Sequence, residues 1–366
     1  MTAGSHYYNE FSKGPIVQKY GGTSVGSAAR INAVADRIKA LFDQGYQKLA
    51  IVVSARAGET NRLVDMVLEI SPDPPPKAYD LAVAAGEQVS VALLATALER
   101  RGLPAAPFLA YQLGILTDKA HSQARIRQIK TDPIKAAWGN GQVAIVAGFQ
   151  GITEAMEITT LGRGGSDTSA VAMAVALEAS LCEINTDVDG VFSADPRFVP
   201  KARLIDRLDF ETALEMASLG SKVLHPRCVE LGAKYQLPIV VRNSFKSEEH
   251  RRTTLMPLDQ EPIESPVVSG VSVDPQVAKI TITKLPTASR AISTIFAAMG
   301  KLGVNVDIII HQVGAEGRMQ LGFTVGTQDS TATYAEVERL LKQPEFEGSA
   351  YTHESDLAKV SVVGMG

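Results

Sequence analysis

The feature that most limits how this chain can fold is an alternation across its first two thirds, where short β-branched apolar runs trade places with longer stretches of helical spacing. Ile16–Tyr20 is a short run, opening on Ile16-Val17, that halts at Gly21-Gly22. In 28–42, Ile31, Val34, Ile38 and Leu41 recur every three or four residues, which marks one face of a helix. The run 49–54 is apolar in five of six positions and predicts a strand buried on both sides. Residues 81–98 predict one further helix, Val143–Ala147 a strand stopping at Gly148, 166–177 an alanine-rich helix, and Leu181–Thr186 the next strand. Strands separated by helices pair in parallel and take helices on both faces, so the fold class is α/β with a mostly parallel sheet sandwiched by helices. Ligands bind such sheets at the carboxyl ends of the strands, where the glycines cluster here.

Past Phe245 the pattern breaks. Residues 246–266 mix Lys246, Glu248, Glu249, Arg251 and Arg252 with Pro257, Pro262 and Pro266, and read as a linker. Beyond it, 279–283 alternates as a strand, 291–302 shows one apolar helix face, and 304–310 and 321–325 read as strands. A second helix at 334–341 and a strand at 358–363 complete the order βαββαβ of a ferredoxin-like sandwich. The expected organisation is an arm or added remnant at 1–15, a first domain at 16–245, the linker at 246–266, and a second domain at 267–366. The stop at Gly366, directly after a strand, reads as abrupt for a complete domain.

Composition excludes several classes. Of the 366 residues, 45% are hydrophobic and 21% charged, and the net charge is −4, with no basic block to hold nucleic acid. No apolar run approaches the ~18 residues of a membrane span, and residues 1–13 lack the apolar core of a signal peptide. Only Cys182 and Cys228 occur, without metal-ligand spacing, and the six histidines form no triad or metal cluster. The expectation is a cytoplasmic protein with reduced thiols and no metal cage.

Three segments carry chemistry. Lys19-Tyr20-Gly21-Gly22-Thr23-Ser24 ends a strand, where glycines let a backbone approach a polyphosphate and a lysine adds mobile charge. A tight turn with a solvated lysine is the plainer alternative. Thr160-Leu161-Gly162-Arg163-Gly164-Gly165-Ser166-Asp167-Thr168 precedes the alanine-rich helix, which Ser166 or Asp167 could cap. Capping alone does not require an arginine among three glycines, whereas an unobstructed guanidinium grips a carboxylate. Third, Asn185–Arg197 follows a strand with Thr186, Asp187, Asp189, Asp195 and Arg197. Its spacing lacks the late glutamate of a calcium loop and suits a nucleotide-contacting loop, with a solvated loop as the alternative. Glu87 sits in a helical pattern and Lys222 in a small-residue turn, each as easily a surface residue. His225 before Pro226 reads as structural.

The segments Lys19–Ser24, Gly148–Gly151, Gly162–Thr168, Thr186–Arg197 and Met216–Pro226, in this order, resemble aspartate kinases of the amino-acid-kinase family over about 16–245, and the tail resembles their ACT repeats. The resemblance implies the amino-acid-kinase fold followed by an ACT unit. It also implies transfer of the γ-phosphoryl of ATP, with Mg2+, to L-aspartate, the opening step of lysine, threonine and methionine synthesis. It assigns catalysis to Lys19, Asp167 and Lys222, and aspartate binding to Thr23, Ser24, Glu87, Arg163 and Ser166. ATP falls to Lys19, Gly21, Gly22, Gly164, Gly165, Thr186, Asp187, Phe192, Arg197 and Lys222. Asn305, Asp307 and Gln312 resemble one wall of an effector pocket for lysine or threonine, and pairing of ACT units implies a homodimer. The sequence departs from the family at Phe192, usually tyrosine, and at Arg56, usually in a Met-Gly pair. It departs again at Leu285-Pro286-Thr287-Ala288, where an acidic-x-Pro-Gly turn is usual, which leaves feedback inhibition open. A kinase for glutamate or N-acetylglutamate, or a non-catalytic regulatory subunit, are the alternatives. A dinucleotide-binding dehydrogenase fails because 21–26 lacks the Gly-x-Gly-x-x-Gly spacing.

Overall fold

A computed structural model of the chain describes residues 6–11, 14–221, 223–246, 251–257, 268–287, 289–314 and 318–364. In the first unit the chain runs β1 (Ile16–Tyr20), α1 (Ala28–Asp43), β2 (Leu49–Val53), α2 (Glu59–Ile70), α3 (Pro76–Val83) and α4 (Ala85–Glu99). It continues β3 (Ala105–Phe108), β4 (Leu116–Thr117), β5 (Ile126–Gln128), α5 (Asp132–Gly139), β6 (Val143–Ala147), β7 (Gln150–Ile152) and β8 (Ile158–Thr160). Then follow α6 (Gly165–Ala176), β9 (Leu181–Thr186), β10 (Arg207–Leu208), α7 (Phe210–Ser218), α8 (Pro226–Tyr235), β11 (Ile239–Asn243) and β12 (Arg252–Leu255).

The main sheet has the order β10-β12-β11-β9-β1-β2-β6-β3, and its pairs are parallel except β11 with β12. Side-chain alternation splits each central strand between two cores. Val17, Ala50, Val52, Val146 and Ile184 face the side covered by α6 and α8, while Ile16, Ile51, Val53 and Ile145 face α1 and α4. β1, β2 and β6 carry no exposed residue, which explains the unbroken apolar runs of β2 and β6, while β1 buries Gln18 and Lys19 as well. A smaller sheet, β5-β4-β7-β8, belongs to the same unit.

Four expectations need correction. The single helix over 81–98 is two helices, with Ala84 between α3 and α4. Pro76–Glu99 as a whole is long and apolar enough to cross a membrane, contrary to the sequence reading, although 56% of its most apolar window is buried in the protein. The stretch read as a linker contains β12, whose Thr253 and Thr254 are buried, because the segment pairs antiparallel with β11 before the first of the prolines is reached. The 1–15 arm is partly structured as well. His6–Glu10 forms a 3-10 turn, and the buried Tyr8 hydroxyl donates to the fully buried Glu183.

The chain divides into two compact units, Met1–Val271 with Val363–Gly366, and Ser272–Val362. The second unit holds β13 (Gly270–Pro286), α9 (Ser289–Lys301), β14 (Val306–Val313), β15 (Arg318–Gly326), α10 (Ser330–Leu341) and β16 (Ala350–Val363), in sheet order β14-β15-β13-β16. That order and the βαββαβ succession are those of a ferredoxin-like sandwich. Both helices cover one face, where Ile280, Ile295, Leu321, Phe323 and Val337 are buried.

Candidate active site

Lys19 is the fourth residue of β1, and strand alternation sends it to the α6 side with Val17. Its Nζ lies 2.6 Å from Oδ1 of Asp167, in the first turn of α6, and the two side chains are 11% and 14% exposed. The expected cap on this helix does not form. Gly164 occupies the N-cap with φ 64°, no side chain caps it, and Ser166 and Asp167 lie inside the helix. Both are therefore free to work in the cleft, and the positive end of the helix dipole faces the same region.

The glycine turn after β1 is held at backbone level. Gly21 N–H donates to the Asn185 carbonyl (3.2 Å), Ser54 N–H to Tyr20 (3.1 Å) and Ala57 N–H to Gly22 (3.0 Å). A Cβ on Gly22 would sit 2.7 Å from the Ala55 carbonyl oxygen, so only glycine fits between the two loops. Gly164 is constrained twice, since its φ is left-handed and a Cβ would lie 2.3 Å from the His225 ring. His225 caps α8, accepting at Nδ1 from Arg227 N–H (3.4 Å), the structural role its place before Pro226 implies. Gly164→Ala is accordingly expected to destabilise the protein by roughly 1–3 kcal/mol, the range for a strained backbone site, in chemical denaturation. An unchanged midpoint would show that this turn can relax.

These elements enclose a cleft of about 910 Å3. Lys19, Gly21, Gly22, Thr23, Glu87, Arg163, Gly164, Gly165, Ser166, Asp167, Thr186 and Asp187 all line it. Arg163 is exposed there, and among the described residues no carboxylate pairs with it. Glu87 is not the surface residue its helical setting implied. It is 2% exposed, Oε1 accepts from Ala55 N–H (2.9 Å), and Oε2 has no hydrogen-bond partner among the described residues. Burial pushes its pKa up to about 7, against a smaller opposing effect of the Ala55 N–H.

Other expected members lie elsewhere. Ser24 is fully buried, its hydroxyl 2.8 Å from that of Ser244, and does not line the cleft. Phe192 forms a β-bridge with Leu204, and the exposed Arg197 pairs with Asp195 at 2.6 Å, so neither lines the cleft. Asp189 is taken by Lys246 and Arg251, both at 2.8 Å. Of the three carboxylates in that loop, only Asp187 reaches the cleft, because local ion pairs claim the other two. Lys222 lies outside the described residues. In the second unit Asn305, Asp307 and Gln312 are exposed, and Asp307 pairs with Lys359.

One residue escaped sequence reasoning. Asp80 on α3 is fully buried, accepting from Thr160 N–H (2.9 Å), Thr160 Oγ1 (2.7 Å) and Ser122 N–H (3.0 Å), with His121 Nδ1 at 2.9 Å. It thereby fixes Thr160 and Ser122 in the cleft wall. Ser122 and Phe149, both lining residues, have φ of 65° and 67°, a conformation costing about 1–3 kcal/mol that collects at working sites. The available signal was an aspartate seven residues before Glu87 at the edge of an otherwise apolar stretch. Arg56, Thr60 and Asn61 also line the cleft. Among the described residues no group of three His, Cys, Asp or Glu side chains is placed to hold a metal ion.

Residues 14–243 match the amino acid kinase family. The chain is 45% identical over 356 residues to an aspartate kinase of Pseudomonas fluorescens, covering 96% of this chain and 84% of that protein. It is 44% identical over 353 residues to aspartokinase 2 of Bacillus subtilis, covering 96% and 85%. Among solved structures, aspartate kinase from Synechocystis aligns with a TM-score of 0.60 at 38% identity, over 96% of this chain and 60% of that one. Aspartokinase III of E. coli, solved with lysine and aspartate, shares the fold with a TM-score of 0.72 at 23% identity, over 96% and 87%. A catalytic-unit match of this extent, together with relatives this similar over nearly the whole chain, places it: the chain belongs to the amino acid kinase family, among the aspartate kinases.

Proposed function

We propose that this chain transfers the γ-phosphoryl group of ATP to the side-chain carboxylate of L-aspartate, giving ADP and 4-phospho-L-aspartate. The observation that carries it is the meeting of the Lys19–Asp167 pair, Arg163 and Glu87 in one cleft at the strand ends. Lys19, oriented by Asp167, neutralises charge on the moving phosphoryl group, and the Gly21-Gly22 turn admits the polyphosphate at backbone distance. The close packing of Gly22 on the Ala55 carbonyl supports this fit, since a side chain there would close the turn. Thr186 and Asp187, at the end of β9, receive the nucleoside. Lys222 is assigned to the phosphates by resemblance alone. Mg2+ carried on the phosphates supplies further charge neutralisation.

Arg163 holds the α-carboxylate of aspartate, Glu87 its ammonium, and Thr23 and Ser166 the region between the two substrates. As the bond from the γ-phosphorus to its bridging oxygen breaks, a carboxylate oxygen forms the new bond, and the electron pair leaves on ADP. The nucleophile is already ionised at neutral pH, so no general base is needed. A coupled ADP-release assay with hydroxylamine to trap the acyl phosphate tests the reading. Aspartyl hydroxamate should accumulate in step with ADP, and product only from glutamate or N-acetylglutamate would replace the substrate.

Glu87 gives the reaction a pH signature. Its folded pKa is raised to about 7, so the empty site holds it largely protonated below neutrality, whereas an ammonium ligand requires the anion. Aspartate affinity should therefore rise about tenfold from pH 6 to pH 8, as one proton is released on binding. Glu87→Gln should bind more weakly and without this slope, so a persistent slope in calorimetric titrations of that variant would remove Glu87 from the contact.

Residues 16–245 are proposed to carry catalysis and 267–366 to form an ACT-type regulatory unit, paired in a homodimer and responsive to lysine or threonine through Asn305, Asp307 and Gln312. Such an effector has to displace the Lys359 partner of Asp307. Assays with either amino acid present, and sedimentation of the whole chain, test these assignments.

A further inference from the structure

The first unit contains a second cavity of about 330 Å3, between β5, α6 and α8, none of whose lining residues lines the active-site cleft. Arg125 and Arg127 from β5 and its preceding residue, with Arg227 from α8, converge on it. Glu230 is the one carboxylate among its lining residues, beside three guanidinium groups, and Asp118 is a further negative charge acting on Arg227. Among the described residues no carboxylate forms an ion pair with any of the three arginines. Ile126, Ile129, Val175 and Leu231 give the cavity an apolar part of its lining.

Clustered cations that outnumber their counter-charges are costly, and Arg227 shows it. Burial first, then the charge of Arg125, holds its pKa below the ordinary arginine value. A bound anion relieves both effects. Arg227 also has a second task. Its Nη1 donates to the Leu161 carbonyl (2.6 Å) and its Nη2 to that of Ala124 (2.9 Å). Leu161 directly precedes Gly162-Arg163, the turn that presents the exposed guanidinium to the cleft.

We propose that this cavity is a binding site for a small organic carboxylate with a branched apolar tail, and that its occupancy is transmitted to the Arg163 turn through Arg227. The carboxylate takes the arginines, and the tail takes the wall of Ile126, Ile129, Val175 and Leu231. A charged acceptor forms hydrogen bonds roughly twice as strong as a neutral one, so it competes with the Leu161 carbonyl for the Arg227 guanidinium. Releasing that carbonyl loosens the turn carrying Arg163, so aspartate binding weakens while the phosphoryl-transfer residues stay in place. The kinetic part of this inference rests on the proposed aspartate kinase activity, and the binding part does not.

The probe is 4-methylpentanoate, titrated calorimetrically into the whole protein saturated with a non-hydrolysable ATP analogue, with inorganic phosphate in parallel. Saturable binding of 4-methylpentanoate, at least tenfold weaker in the doubly substituted Arg125→Ala/Arg127→Ala protein, is expected. Both positions are exposed and outside the cleft, so this variant should keep its basal turnover. In steady-state assays the probe should raise the aspartate KM at least threefold in the parent chain, with kcat unchanged, and leave the variant's KM unmoved. That contrast separates the cavity from competition at Arg163, which the variant retains. Absence of saturable binding, or equal affinity in the variant, overturns the site. Phosphate binding as tightly as 4-methylpentanoate overturns the apolar half of the assignment. Variant-sensitive binding with an unmoved aspartate KM in the parent overturns the link through Arg227.

Discussion

Replacing Lys19 by alanine is expected to lower turnover by about three orders of magnitude while the protein stays folded. Among the described residues lining the cleft, the lysine ammonium is the one cation seated on a sheet strand, 2.6 Å from the Asp167 carboxylate. Charge that develops as the phosphoryl group moves meets it in a partly dry setting, where removing one preorganised donor costs roughly 10²–10³ in turnover, and cationic groups on phosphoryl transfer reach beyond that. The effect should fall on kcat, because the same ammonium contributes less to the ground state of bound ATP. Removing the lysine also strips Asp167 of its partner, so some stability is lost. The doubly substituted Lys19→Ala/Asp167→Ala protein controls for this. It should recover stability without recovering turnover. A folded Lys19→Ala variant with turnover within tenfold of the parent chain would sink the proposed role.

Arg163→Ala should act on the other kinetic constant, raising the aspartate KM about hundredfold with a smaller change in kcat. Two charge-assisted hydrogen bonds to one carboxylate contribute about 2–4 kcal/mol, and each 1.4 kcal/mol is a factor of ten. Because Arg163 is exposed and pairs with no carboxylate among the described residues, its removal leaves no buried charge, and stability should not move. Arg163→Lys should rescue only part of the loss, since an ammonium cannot reproduce the planar two-point grip. An aspartate KM unchanged in Arg163→Ala would assign the α-carboxylate to another cation in the cleft, with Arg56 next in line as a lining residue.

The same cleft shows where sequence reasoning holds and where it stops. Val143–Ala147 was legible to the residue, because a strand buried on both faces is apolar throughout and Gly148 marks its end, and Leu181–Thr186 was legible although it buries Glu183 and Asn185. The Gly162–Thr168 segment was legible as a site because no local structural role explains an arginine among three glycines. The structural alternative, a cap by Ser166 or Asp167, does not form. Ser166 and Asp167 have good capping side chains, yet a left-handed Gly164 packed against His225 starts the helix earlier, a contact 61 residues distant in the chain that no local rule contains.

Glu87 and Arg197 changed places for a similar reason. By sequence Glu87 sat in an ordinary helical pattern, and Arg197 in a loop read as contacting a nucleotide. Tertiary packing buried Glu87 against Ala55 and raised its pKa to about 7, while a neighbour two residues away, Asp195, drew Arg197 to the surface. Asp80 went unnoticed because its partners, His121, Ser122 and Thr160, are 41 to 80 residues away.

What the sequence by itself determined is the architecture and the chemistry on offer: alternating buried strands and amphipathic helices, glycine turns at strand ends, and the lysine, arginine and aspartate a phosphoryl transfer requires. These follow from periodicity and from backbone conformations that only glycine adopts, which are local properties. What only the tertiary structure decided is which charges are spent on each other and which remain for a substrate. Pairing and burial depend on residues brought together from distant parts of the chain, and in a low-dielectric cleft they set whether a carboxylate is a cap, an ion-pair partner or a ligand for an ammonium group.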